Sequence, residues 1–250
     1  MKNRKNIYFV SDVHLGAPSL KDNQEREKKF VRWLDKISHD ASELFLMGDI
    51  FDYWFEYKKV VPRGHIRVLG KLAEITDKGI PVHFFTGNHD IWIFDYLPSE
   101  IGLIVHHDPE TFNLLGKKFF LAHGDGLDRG DKGYKILKKI FKSRVLQWFY
   151  ARLHPNFAVT VAQKWSKNSR LGKKEITDSF DATNEGMFQY AASVLEKEHF
   201  DYFVFGHRHQ LANILINESS RFILLGDWIK TFSYGVFDGT DFELKIFLDE

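Results

Sequence analysis

The chain has 250 residues, 44% hydrophobic and 28% charged, a composition that excludes disorder and fits one large α/β domain or one domain with an inserted cap. It contains no cysteine, which excludes disulfides, thiolate metal sites and a catalytic thiol and leaves any metal chemistry to histidine and carboxylate. The net charge is +1, the first apolar run (residues 7–10) is too short for a signal segment, and no later run approaches a membrane span, so an intracellular, cytoplasmic protein is expected.

Residues 7–10 read as a buried strand broken by Ser11, Asp12, Val13 and His14. From Asp22, a candidate N-cap, apolar residues at Phe30, Trp33, Leu34 and Ile37 predict an amphipathic helix. Residues 44–47 form a second apolar run, which stops at Gly48 and Asp49. A helix is expected over 60–78, closed by Gly79 with Pro81 beyond it. Residues 82–85 then make a third strand, opening into Gly87, Asn88, His89 and Asp90. Strand, polar turn and helix in alternation argue for parallel strands covered by helices, with ligands beyond the carboxyl ends of the strands. Farther on, residues 111–115 and 118–122 predict a hairpin whose second arm ends at His123, Gly124 and Asp125. A helix over about 179–198 leads to a strand at 202–205, followed by Gly206, His207, Arg208 and His209. The tail reads as strands at 211–216, 222–225, 234–237 and 242–247, enough for a second sheet packed on the first.

Residues 128–174 differ from their surroundings. They hold thirteen basic residues against Asp128 and Asp131, a net +11 that leaves −10 for the rest of the chain. Tyr134, Leu137, Phe141, Val145 and Trp148 keep one helical stripe, and Phe157, Val161 and Trp165 a second after Pro155. The segment reads as a helical insertion between core strands. Either its apolar faces pack on the body, or it is a lid leaving room for something greasy. The charge points to a surface that meets an anion.

Five strand candidates end in polar turns that carry Asp12 and His14, Asp49, Asn88 and His89, His123, and His207 and His209. Singly each is weak; five in order are not an accident. Imidazole and carboxylate without sulfur suit Mn²⁺, Fe²⁺, Zn²⁺ or Mg²⁺. Two ions about 3.5–4 Å apart can clamp an in-line phosphoryl displacement, with water as nucleophile in place of Ser or Cys. Asp12 and Asp49 are candidate bridges, and Asp90 is expected to buttress its turn by hydrogen bonds.

The order D-x-H, G-D, G-N-H-D, H, G-H-x-H resembles the calcineurin-like metallophosphoesterase superfamily. That resemblance implies an α/β (α+β), four-layer β-sandwich of two mixed sheets flanked by helices, here with an inserted helical lid: a core of residues 1–127 and 180–250 and a lid over 128–179. It implies a first metal held by Asp12, His14, Asp49 and His209, and a second held by Asp49, Asn88, His123 and His207. Asp49 bridges them, and His89 faces the phosphate to stabilise charge or protonate the leaving oxygen. The chain also resembles the UDP-2,3-diacylglucosamine hydrolases of lipid A synthesis through Gly48 to Asp52 with Trp54, His123 to Asp125 followed by Gly130, Asp131 and Tyr134, the basic insertion with Ser169 and Lys173, and Leu225 to Trp228. This implies cleavage of a lipid-linked nucleotide sugar at the α-phosphorus, releasing UMP, commonly with Mn²⁺, and contact with the cytoplasmic face of the inner membrane. Asp131, Tyr134, Ser169, Lys173, His207, Asn88 and His89 become the substrate-contact candidates. One departure is that proteobacterial members have arginine where His89 stands. A nuclease and a non-catalytic scaffold are the rival readings. The basic residues interleave with Leu, Phe and Trp rather than forming a DNA-binding module, and no ligand is missing, so neither nucleic acid nor an obligate protein partner is expected.

Overall fold

Both faces of the first strand are covered, which is why it reads as a continuous apolar run rather than an alternating one. In the computed structural model, which describes residues 4–128, 130, 132–172 and 185–249, Ile7 and Phe9 point one way and Tyr8 and Val10 the other, all buried. That strand, β1 (Asn6–Val10), is followed by α1 (Asn23–Ile37), β2 (Ala41–Leu46), α2 (Ile66–Asp77), β3 (Val82–Phe85) and β4 (Ile104–His106). β1, β2, β3 and β4 pair in parallel, and the late strands β10 (Ser233–Phe237) and β11 (Phe242–Ile246) add antiparallel to give a six-stranded sheet, β11-β10-β1-β2-β3-β4. The second sheet has the order β5-β6-β7-β9-β8, from β5 (Glu110–Leu114), β6 (Lys117–Leu121), β7 (Tyr202–Phe205), β8 (Leu211–Leu215) and β9 (Arg221–Leu225). β6, β7 and β9 run parallel, and β5 and β8 antiparallel at the edges.

The architecture is two mixed sheets flanked by helices. Tyr8, Val10, Leu44 and Leu46 pack under α1 and α2, while Phe9, Phe45, Phe119 and Val204 fill the space between the sheets. Phe9 stacks on Phe45 with ring centroids 5.0 Å apart and on Phe119 at 5.9 Å. Removing a fully buried ring of this kind costs about 3–5 kcal/mol. Phe120, Phe203 and Phe222 cover the outer face of the second sheet beneath α6 (Gly186–Leu195). This stacking brings the ends of β1, β2, β3, β6 and β7 to one rim.

Several elements differ from expectation. The helix expected over 60–78 begins only at Ile66, because Pro62 cannot donate to a helix and Gly64 and His65 hold φ values of 100° and 59°. The hairpin turn falls on Leu115 and Gly116, both with positive φ, which shifts each arm one residue toward the N-terminus. β4 has only three residues and carried no readable pattern. The basic stripe is not one helix: Ser143 is extended and separates α3 (Lys132–Lys142) from α4 (Arg144–Tyr150), ahead of α5 (Pro155–Gly172). Tyr150 packs against Phe55 and Trp92, whereas Val145, Trp148, Phe157 and Val161 turn outward, Trp148 with 53% of its surface exposed. The outward turn of Val145 and Trp148 corrects the expectation that the stripe forms a single apolar face.

Candidate metal centre

Asp12 and His14 lie just past β1, Asp49 past β2, Asn88 and His89 past β3, His123 past β6, and His207 and His209 past β7. The backbone there is unusual. Among the described residues nine non-glycine positions have positive φ, and Asp12, His14, Asp49, His207 and His209 are five of them. Left-handed backbone costs about 1–3 kcal/mol per residue when surroundings must impose it, so strain is concentrated where side chains converge.

The Asp12 carboxylate is split between two tasks. Its Oδ2 accepts from Ser11 Oγ at 2.6 Å and from the His207 amide at 2.8 Å. Its Oδ1 is buried without a hydrogen-bond partner, 3.7 Å from His14 Nε2 and 3.4 Å from His209 Nε2. Asp49 repeats the pattern: Oδ1 accepts the His89 amide at 2.8 Å, and Oδ2 lies 3.7 Å from His14 Nε2 and 3.4 Å from His123 Nε2. Asp49 Oδ2 therefore faces both imidazoles, within reach of His14 and His123 alike.

The imidazoles are oriented from behind. His123 Nδ1 donates to the Met47 carbonyl oxygen at 2.8 Å, which leaves Nε2 turned to Asp49 and also without a hydrogen-bond partner. His14 Nδ1 lies 3.4 Å from Asp52 Oδ1, and His209 Nδ1 lies 3.8 Å from Asp227 Oδ2. Outer-nitrogen contacts to carboxylate or carbonyl fix the tautomer in which Nε2 can bind a cation. His89 Nδ1 lies 3.0 Å from the Asp52 carbonyl oxygen, so its Nε2 is on the far side of the ring. The turn is held by Asp90, whose carboxylate accepts the amides of Gly87 at 2.7 Å, Ile50 at 2.9 Å, and Asp49 and Phe51 at 3.3 Å.

Among the described residues three groups offer donor atoms within 4.8 Å of one another: Asp12, His14 and His209; His14, Asp49 and His89; and Asp49, His123 and His207. Burial alone would raise the Asp12 and Asp49 carboxyls, yet His209 and His14 beside Asp12, and His123 and His89 beside Asp49, hold both well below the usual carboxylate range. Burial likewise opposes charge on His123, but the Asp49 carboxylate pushes its imidazole up to about 10. Burial and then the charge of Asp49 push the Asp90 carboxyl up to about 7. A proton on His123 offsets the Asp49 carboxylate beside it, and divalent cations would balance the buried carboxylates more completely. Asn88 Oδ1 is a third buried oxygen or nitrogen atom without a hydrogen-bond partner, alongside Asp12 Oδ1 and His123 Nε2. The donor set, all oxygen and imidazole nitrogen, fits hard or borderline divalent ions.

Tyr134 is brought to the rim as well, its hydroxyl donating to Asp125 Oδ2 at 2.6 Å and its ring 6.4 Å from that of His207. Ser169 belongs to α5, and Asp131 and Lys173 lie outside the described residues. Sequence reasoning missed three supports. Asp52 and Asp227 stand in the motifs containing Gly48 and Gly226, and a second carboxylate a few residues from a ligand was the available signal. Arg26 had none. Its guanidinium reaches the Val13 and Trp228 carbonyl oxygens and so ties the first ligand loop to the Asp227 loop.

Candidate metal ligands gathered at the rim of a two-sheet sandwich are the arrangement of a metallophosphoesterase. Residues 5–211 match the Calcineurin-like phosphoesterase family, and the chain belongs to it, a family of metal-dependent hydrolases. Over 97% of both chains it is 42% identical to a UDP-2,3-diacylglucosamine hydrolase of Porphyromonas gingivalis. It is 27% identical to proteins of that name from Shewanella baltica, over 88% of both chains, and Aeromonas salmonicida, over 89% of this chain and 85% of that one.

Proposed function

We propose that the protein hydrolyses the diphosphate of UDP-2,3-diacylglucosamine at the α-phosphorus. Water adds across the P–O–P linkage to give UMP and 2,3-diacylglucosamine 1-phosphate, both as dianions, and two protons. The observation that carries the reading is the convergence of Asp12, His14, Asp49, His123, His207 and His209 on one rim, in a chain alike over its whole length to hydrolases of that name. Asp12, His14, Asp49 and His209 would hold one ion and Asp49, Asn88, His123 and His207 the other, with Mn²⁺ the expected metal and Fe²⁺, Zn²⁺ or Mg²⁺ as alternatives. Such ions supply Lewis acidity toward phosphoryl oxygens and nucleophilic water at neutral pH.

The chain's own groups do the rest. Asp52 orients two rings at once, through its carboxylate toward His14 and its carbonyl oxygen toward His89. Held in this way, His89 presents Nε2 to the phosphate, where it stabilises charge or protonates the leaving oxygen. Tyr134, Asp131, Ser169 and Lys173 are assigned to the sugar and acyl end, beneath a lid made by residues 128–179. Val145, Trp148, Phe149 and Phe157 on the outer face, with Arg144 and Arg152 among them, are assigned to an anionic membrane surface. Arg152 already stacks 4.1 Å over the Trp148 ring.

The test is turnover of UDP-2,3-diacylglucosamine by the Mn²⁺-loaded protein in ¹⁸O-water, read by mass spectrometry. The label should appear in UMP. Label in the sugar phosphate alone would refute attack at the α-phosphorus, and no UMP at all would refute the reading.

A further inference from the structure

On the His123 side of the centre, a cavity of about 530 Å³ opens between α3 and the loops after β3, β4 and β6. His123 forms part of its wall, and Phe85, Ala122 and Leu127 give it apolar surface. Lys135, Lys138, Lys139 and Lys142 all line it, the i, i+3, i+4, i+7 spacing of one helix face. Two carboxylates answer them. Asp125 pairs with Lys138 at 2.7 Å and Asp108 with Lys142 at 2.6 Å. Asp125 also accepts the Tyr134 hydroxyl.

With His123 neutral, as a metal ligand must be, four ammonium groups against two carboxylates leave a net +2 in the cavity. The neighbouring histidines do not reverse this. His106 is turned to His83 at 3.0 Å and to Glu110, and His107 is pushed down by burial and by the Lys142 ammonium toward its neutral form. Like charges at i, i+4 on a helix cost a few tenths of a kcal/mol each, so a lysine face turned into a cavity is destabilising until an anion fills it. At about 530 Å³ the space falls within the range of small-molecule sites.

We infer that this cavity is a subsite for a phosphate monoester dianion, filled by a product of the reaction before it leaves. The inference rests on the hydrolysis proposed above, since both products of that reaction are phosphate monoesters. A net +2 beside the second cation position matches the charge of a released phosphate monoester. Two sources share that chemistry, the nucleoside monophosphate and the sugar 1-phosphate.

The experiment titrates Mn²⁺-loaded protein calorimetrically with UMP, glucosamine 1-phosphate and inorganic phosphate, in the wild type and in a Lys135→Glu/Lys139→Glu variant. Those two lysines are not the partners of Asp108 or Asp125. The expected result is at least one of the three anions binding the wild type and binding the variant at least tenfold more weakly, with Mn²⁺ content unchanged. Preference for UMP assigns the subsite to the nucleotide end, and preference for glucosamine 1-phosphate assigns it to the sugar end. Equal affinities in both proteins, or no binding of any anion to the wild type, would overturn the inference. Should the charge reversal prevent folding, Lys135→Gln/Lys139→Gln serves, with a weakening of at least threefold expected and an unchanged affinity refuting. If UDP-2,3-diacylglucosamine is not cleaved yet lysine-dependent anion binding persists, the substrate assignment fails and the subsite stands; cleavage without lysine dependence gives the reverse.

Discussion

Replacing Gly87 by alanine adds one methyl group where the loop after β3 crosses the loop after β2. An alanine Cβ there would stand 2.6 Å from the Asp49 amide nitrogen and 2.8 Å from Asp49 Cγ, against an ordinary contact of 3.4–4 Å. One of the two loops must therefore move by about 0.8 Å, the shortfall from 3.4 Å. Neither moves freely, because Asp90 binds the amides of both Gly87 and Asp49. Overpacking of this kind costs about 1–3 kcal/mol, a loss of about 2–12 °C in Tm for a chain of this size. A displacement near 1 Å at a catalytic centre lowers turnover about 10²-fold. The comparison is Gly70→Ala within α2, where nothing lies within 4 Å and the change should stabilise by about 0.5–1 kcal/mol with unaltered kcat. Calorimetry, metal analysis and steady-state rates on both variants form the assay. Full Mn²⁺ content together with wild-type kcat in Gly87→Ala would refute the reasoning that Asp49 is held against this loop.

Turnover in His89→Ala should fall about 10²–10⁴-fold with both metals retained; undiminished turnover would show that His89 is not the proton donor. Metal binding should release protons, because His123 in the metal-free protein, pushed up to about 10, is charged at neutral pH and must be neutral to act as a ligand. The sign follows: Mn²⁺ affinity rises with pH below about 10, about tenfold per pH unit for one proton displaced. Calorimetry in two buffers of different ionisation enthalpy measures the release, and identical heats would contradict it. Trp148→Ser/Phe149→Ser should leave Tm within about 2 °C, since both side chains are more than half exposed, while weakening sedimentation with anionic vesicles several-fold. Vesicle binding equal to wild type would remove the membrane role of that face.

The candidate ligands were legible because their chemistry is local: each polar turn interrupts an apolar run, and the runs are short strands buried on both faces. Phe9 and Phe45, read as core from their neighbours alone, are fully buried. What could not be read is what depends on pairing across the chain. Asp227 meets His209 only because β9 and β10 carry the following loop back under the rim, and Arg26 reaches Trp228 from a helix 202 positions earlier. The outward turn of Trp148 was equally hidden, since a break at Ser143 rotates α4 relative to α3 and a periodic pattern does not report such a rotation. His83 and His106 form a buried pair joined across β3 and β4, a pairing that no local pattern announces.

Metal stoichiometry tests the two-cation centre most directly. The chelator-stripped protein should take up two Mn²⁺ per chain, and Asp49→Ala should retain neither at micromolar metal. A single Mn²⁺ in the wild type, or two in Asp49→Ala, would contradict the placement of Asp49 between both ions.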